Sequence, residues 1–289
     1  MDILRRQFLF ILGGAAVACG QSAPRIRVGC QTPAYGSPLP QGDKLLAALD
    51  DLAALGYEGF ETNFASLESS FQDPAPMRAE FEKRKLKLIG LHAGASFADP
   101  GLIEKERAQV ERLATASKAL GAELLIFSAP GVPRGPDGRM DSAALKVRCE
   151  ELNRVGSVCN AMGVRLCTHN HAKEVANDGE EVNAVMEGTD PKKVSMLMDA
   201  AYVHRAGLSV PAFIRKRYRR IAGVHVRDVR DNKEVDMGTG ELDFRGIAGA
   251  LRETRWSGWV ILEINKRADV SSRQLVENSR KYMRDVMKI

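Results

Sequence analysis

Eight times along this chain a strand-length apolar run is followed by a helix-length amphipathic stretch, and few folds accommodate that rhythm. The pattern predicts strands at Ile26 to Gln31, Glu58 to Asn63, Leu86 to His92, Glu123 to Ser128, Val164 to Thr168, Val194 to Asp199, Ala222 to Val226 and Trp259 to Ile264. Helices are predicted between them, among others at Lys44 to Leu55, Leu102 to Leu120, Ser142 to Met162 and Ser272 to Met287. In LIEKERAQVERLATASKAL the apolar residues recur at three- and four-residue intervals, which gives a helix with one buried face. Several helices run into glycine just before the next strand, as in LAALGYEGF, SKALGAELL and CNAMGVRLC, because glycine takes the left-handed stop conformation without strain. Strand then helix, repeated, demands parallel pairing through right-handed crossovers. Eight such units in 289 residues predict an α/β chain with a single (β/α)8 barrel over residues 25–289.

Four of the later apolar runs finish on residues that bind divalent cations: His169 and His171 after VRLC, Asp199 after VSMLM, His225 in IAGVHV and Glu263 after WVIL. A parallel barrel delivers such strand ends to one mouth, so the set points to a mixed nitrogen and oxygen site for one divalent ion, Mn²⁺, Co²⁺, Zn²⁺ or Mg²⁺. Strand alternation puts His169 and His171 on one side and Asn170 on the other; only one of the two imidazoles need touch the metal. Glu174 falls just past the strand, as a substrate group or a helix-start carboxylate. Glu61 and Asn63 end strand two, His92 ends strand three, and Arg227 shares a face with His225; these are natural hydrogen-bonding groups for a polyhydroxylated ligand. His204 receives no role, and Trp256 and Trp259 read as packing. The long stretches Thr32 to Asp43, Ala129 to Met140 and Arg227 to Asp243 come after strands and are expected to shape the pocket.

The first 24 residues read as an export signal: Arg5 and Arg6, Phe8 and Leu9, then a short apolar stretch, in the manner of a twin-arginine leader. AVAC also has the form of a lipoprotein cleavage box, which would anchor the chain to a membrane through Cys19 and place it in the periplasm. Cleavage there would lower the formal net charge from +5 to +4. That balance is too mild to imply nucleic acid, and RKRYRR at Arg215 to Arg220 reads as the exposed end of a helix. Cys30, Cys149, Cys159 and Cys167 show no paired metal spacing and are expected to be buried thiols.

HNHAKE, DAAYVHRAG, HVRDV, the GTGELDF turn and GWVILEIN together resemble the xylose isomerase-like TIM barrels known as sugar phosphate isomerase/epimerase proteins, over nearly the whole chain after the leader. The resemblance implies one divalent metal held by His169, Asp199, His225 and Glu263. His169 stands where many of these epimerases carry a glutamate that both binds metal and moves a proton. The implied chemistry is proton abstraction next to a carbonyl through an enediolate, with Glu263 as first candidate base and His171 or Glu174 as second. Reprotonation on the other face is epimerisation; loss of a β substituent is a lyase reaction. Because sugar phosphates are intracellular, export implies a free or keto sugar or glycoside. Two rivals are a non-catalytic exported sugar-binding protein and the DNA-cutting AP endonuclease branch, whose multi-zinc site needs more ligands than this chain's five histidines supply.

Overall fold

In a computed structural model, which describes residues 24–289, the eight runs close into a parallel barrel. Its strands are β1 (Ile26–Gln31), β2 (Gly59–Asn63), β3 (Lys87–Gly94), β4 (Leu124–Ser128), β5 (Arg165–His169), β6 (Val194–Asp199), β7 (Ile221–Val226) and, as eighth stave, β10 (Gly258–Leu262). Neighbours pair in chain order, and β10 closes the ring on β1 with Ile26 opposite Gly258 and Cys30 opposite Leu262. Helices α1 (Gly42–Ala54), α2 (Ala75–Lys83), α3 (Ile103–Leu120), α4 (Ser142–Ala161), α5 (Ala172–Gly188) and α8 (Phe244–Glu253) fill the crossovers, α6 (Ala200–Arg205) and α7 (Val210–Arg217) share the one between β6 and β7, and α9 (Ser272–Tyr282) follows the last stave.

The barrel interior is a plug of Ile89, Leu124, Ile126, Cys167, Leu197, Ala222, Trp259 and Ile261, all buried. Large side chains fit there because their neighbours are minimal: a Cβ on Gly29 would stand 2.2 Å from Ile89 Cδ1, and one on Gly223 would stand 2.5 Å from Leu197 Cδ1. The outward faces of the strands join the helices in a second, larger apolar layer. Helix starts are held by side-chain oxygens: Asp141 accepts from the amides of Ala143 and Ala144, Asp243 from Gly246 and Ser271 from Gln274. Gly121 and Gly163 sit in the left-handed region (φ 77° and 76°), as the stop signals required.

Three segments depart from the expected pattern. The segment after β7 folds into a small antiparallel hairpin, β8 (Asp228–Arg230) with β9 (Lys233–Val235), turned at Asp231 and Asn232 in the left-handed conformation. The buried Asp228 carboxylate gathers the loop beyond this hairpin by accepting from the amides of Val229, Gly238, Gly240 and Leu242. Helix α5 is interrupted at residues 176–179, where Asn177, Asp178 and Gly179 are all left-handed. The helix predicted to Met287 instead ends at Tyr282 and widens into a π-turn over Met283–Met287. Cys30, Cys149, Cys159 and Cys167 are free and buried, and among the described residues no helix is long and apolar enough to cross a membrane.

Candidate metal centre and active site

The C-terminal ends of β5, β6, β7 and β10 bring His169, Asp199, His225 and Glu263 together: one ligand atom from each lies within 4.8 Å of all the others. His225 is fully buried between two carboxylates, its Nε2 2.8 Å from Glu61 Oε2 and its Nδ1 3.1 Å from Glu263 Oε2. Nδ1 also faces His169 Nε2 at 3.1 Å. With Nε2–H donating to Glu61, the Nδ1 lone pair points into the cluster, the arrangement by which a carboxylate fixes the tautomer of a metal-binding imidazole.

Asp199 uses its two oxygens differently. Oδ1 caps α6 by accepting from the amide of Tyr202 at 2.9 Å, whereas Oδ2 is buried without a hydrogen-bond partner. Arg227 Nη2 lies 2.7 Å from that oxygen, within ion-pair range but off the line of a hydrogen bond, and Arg227 Nη1 also pairs with Glu263. Asn170, which faces away from the two histidines, braces the β5 and β6 ends: its Oδ1 accepts from the Asp199 amide at 2.9 Å and its Nδ2 donates to the Asp199 carbonyl at 3.3 Å.

The electrostatics are set by burial. Burial opposes charge on His225, yet Glu61 and Glu263 on either side hold its pKa well above the ordinary imidazole value. Burial pushes His169 well below that value. Burial and the nearby Glu263 carboxylate raise Asp199 to about 7, while for Glu263 the effect of burial is overcome by His225 and Arg227, which pull it well below the carboxylate range. One buried and one partly exposed carboxylate, an imidazole lone pair aimed inward, and an Asp199 oxygen that has an ion-pair neighbour but no hydrogen bond form a hard and borderline donor set that suits a divalent cation. Without one, protons on His225 and Asp199 do part of the same neutralising work.

Around this cluster stand the other candidates. Glu61 is wholly buried and out of ligand reach; it accepts from Gln31 Nε2 at 2.8 Å and contacts His92 Nδ1 at 3.0 Å as well as His225. His92 spans from Glu61 to Ser128 Oγ, 2.6 Å from its Nε2, with its ring 5.1 Å from that of His169. Asn63 caps the turn after β2 by accepting from the Ala65 amide. His171 packs edge-on to His169 at 4.7 Å and to Tyr202 at 5.2 Å, half-buried at a recess shared with Arg227, Glu234, Glu263 and Asn265. Burial lowers its pKa. Glu174 does not join the cluster. Its Oε2 accepts from the His171 amide at 3.0 Å, and its Oε1 lies unpartnered beside a cavity behind β4 to β6 that Arg148 and Glu181 also line. It is a helix-start carboxylate, the N3 member of the α5 capping box, but buried rather than solvated, and its pKa is raised by that burial.

His204 pairs with Glu241 near the surface, and the Trp256 and Trp259 indoles are buried packing groups whose N–H donate to the Ile221 carbonyl and Glu123. Two further mouth residues were not expected from the sequence. Gln31 ends β1 in the position where the other strands supply polar groups, so the same strand-end signal marks it. Tyr202 lies under the Arg227 guanidinium, 4.9 Å from its ring centre, and nothing in its spacing reveals that contact.

Fold and site together define a (β/α)8 barrel with, among the described residues, one candidate cation centre of two imidazoles and two carboxylates at its mouth. A profile of the xylose isomerase-like TIM barrel family matches residues 49–286, and the chain belongs to that family. An inosose dehydratase of Geobacillus kaustophilus (strain HTA426) is 27% identical over 244 residues, covering 74% of this chain and 78% of that protein. Among solved structures, the 3-keto-D-glucoside 4-epimerase of E. coli superposes with a TM-score of 0.72 at 18% identity, covering 90% of this chain and 99% of that one. The IolI protein, solved with a bound zinc atom, does so with a TM-score of 0.74 at 16% identity, covering 91% and 98%.

These relatives overturn one expectation. The relatives to which the chain aligns over about three quarters of its length or more are inosose dehydratases, and against them the assignment to the periplasm, or to a membrane through a lipidated Cys19, does not stand. Residues 1–23, on which nearly all of the leader and its Cys19 box fall, lie outside the described residues. With export goes the ground on which phosphorylated substrates were set aside.

Proposed function

We propose that this protein is a metal-dependent enzyme acting on a keto sugar or keto cyclitol by removing the proton next to the carbonyl. The observation that carries the reading is the convergence of His169, Asp199, His225 and Glu263 within 4.8 Å, with Asp199 Oδ2 buried and lacking a hydrogen bond. These four residues would hold one divalent cation, which when bound supplies Lewis acidity at the substrate carbonyl. Glu263 borders both the cluster and the recess, and about a fifth of its side chain is exposed (19%), so its carboxylate is placed to take the C–H proton. Arg227, fixed between Asp199 and Glu263, holds that carboxylate ionised and stabilises negative charge developing on the enediolate oxygen. His171, neutral because its pKa is lowered, moves a proton at the other side of the same recess.

Return of a proton to the opposite face completes an epimerisation. Departure of a β-hydroxyl as water, with the C–H electron pair becoming the new double bond, completes a dehydration. The names of the curated relatives favour dehydration of an inosose-like ketone, and the name of the E. coli structure favours epimerisation of a keto sugar; one enolising centre serves both. The test is incubation of protein loaded with Mn²⁺, Co²⁺, Zn²⁺ or Mg²⁺ with ketoses, 3-keto-glycosides and inososes in D₂O. Solvent deuterium at the carbon beside the carbonyl, or an unsaturated ketone seen by ultraviolet absorbance, is expected with at least one pairing. Neither signal with any pairing overturns the proposal.

A further inference from the structure

The opposite end of the barrel carries a concavity of its own. A recess of about 900 Å³ opens at the N-terminal ends of the strands, lined by Arg25, Arg27, Lys87, Lys118, Arg165 and Lys192, with Glu123 as the one carboxylate among its lining residues. Six cations against one carboxylate leave a surplus of five, equal to the formal net charge of the whole chain, so the charges outside the recess balance. The cations come from β1 and the residue before it, the start of β3, the end of α3, the start of β5 and the turn before β6, which is why no basic run announces them in the sequence.

Part of this charge is used internally: Arg25 pairs with Glu58 and Arg27 with Glu123. Lys87, Lys118, Arg165 and Lys192 are exposed, and among the described residues none has a carboxylate within ion-pair distance. Four unpaired like charges around one hollow repel each other, a cost that packing of the barrel floor does not require. Trp259 forms part of the floor but is 2% exposed and covered by the Arg27 guanidinium 3.9 Å from its ring centre, so no aromatic face is free to stack on a base.

We propose that this recess is a binding site for a compact polyanion of the oligophosphate class, recognised by Lys87, Lys118, Arg165 and Lys192. It lies at the far end of the barrel from the candidate metal centre and stands whether or not the enolisation reading does.

The test is calorimetric titration of the full chain with inorganic tripolyphosphate, alongside sulfate, a DNA duplex and anionic phosphatidylserine vesicles at matched ionic strength. Tripolyphosphate is expected to bind more tightly than sulfate, to weaken as salt is raised, and to weaken about tenfold or more in Lys118→Glu/Lys192→Glu. Both side chains are exposed; if the double reversal unfolds, the neutral pair Lys118→Gln/Lys192→Gln replaces it with the same direction of effect. Affinity no better than for sulfate shows an adventitious anion only and overturns the proposal. So does affinity unchanged in the folded variants, or tighter binding of the duplex or vesicles than of tripolyphosphate.

Discussion

Replacing Glu61 by glutamine tests the candidate metal centre without touching any of its four ligands. In the native site Oε1 receives Gln31 Nε2 and His92 Nδ1, and Oε2 receives His225 Nε2, all at 2.8 to 3.0 Å. Glutamine keeps the shape but offers only one oxygen. With that oxygen kept towards Gln31 and His92, its NH₂ meets His225 Nε2, which must then become an acceptor, so the ring proton moves to Nδ1 and removes the lone pair from the cluster. Losing such a carboxylate partner costs about 10- to 100-fold in metal affinity, or ~1.4 to 2.7 kcal/mol, and the forced tautomer argues for the upper end. Competition with a chromophoric chelator at neutral pH measures the loss, and apo-protein thermal melts establish that Glu61→Gln remains folded. Affinity within about twofold of the native protein in a folded variant would refute the reasoning, because His225 would then not depend on Glu61 for its orientation or tautomer.

Metal affinity should fall as pH is lowered: His225 is held well above its ordinary value and Asp199 at about 7, so in the absence of metal both groups bind protons that a cation must displace. Titrating with Zn²⁺ at a series of pH values should show tightening as pH rises through about 7; a flat profile contradicts the assignment. Conversion of His171 to asparagine should lower deuterium exchange by about 10² to 10⁴ while leaving metal content unchanged. Glu174→Gln should have a far smaller effect, because its carboxylate holds only the His171 amide and faces the rear cavity. In Gly240→Ala the new Cβ would stand 2.2 Å from Asp228 Oδ1 and 2.6 Å from the Val229 carbonyl oxygen, so the loop after the hairpin should lose about 1 to 3 kcal/mol, read as a lowered denaturation midpoint. Native Cys159 and Cys167, both buried with pKa values raised to about 12, should resist a thiol reagent until denaturant is added.

How far the sequence reached depends on whether a signal is local. The eight strands were legible because burial imposes a run of apolar residues on each, and the glycines at 121 and 163 marked helix ends because only a left-handed residue makes that stop. The convergence of His169, Asp199, His225 and Glu263 was legible for the same reason: in a closed parallel barrel, equal position along each stave means proximity at the mouth. Relations across the chain were not legible. That Glu61 serves His225 across 164 positions, that Arg227 is tied to two carboxylates rather than standing free, and that Glu174 turns to the rear cavity depend on rotamers and strand stagger, which residue type does not encode. The N-terminal pattern is of another kind: a double arginine before an apolar stretch is a receptor-read address with no packing consequence, so the fold offers nothing to check it against. Asn170 lies between these limits. Strand alternation turned it away from the two histidines, and that orientation is what lets it clamp the Asp199 backbone from behind, fixing the separation of the β5 and β6 ends on which any shared cation depends.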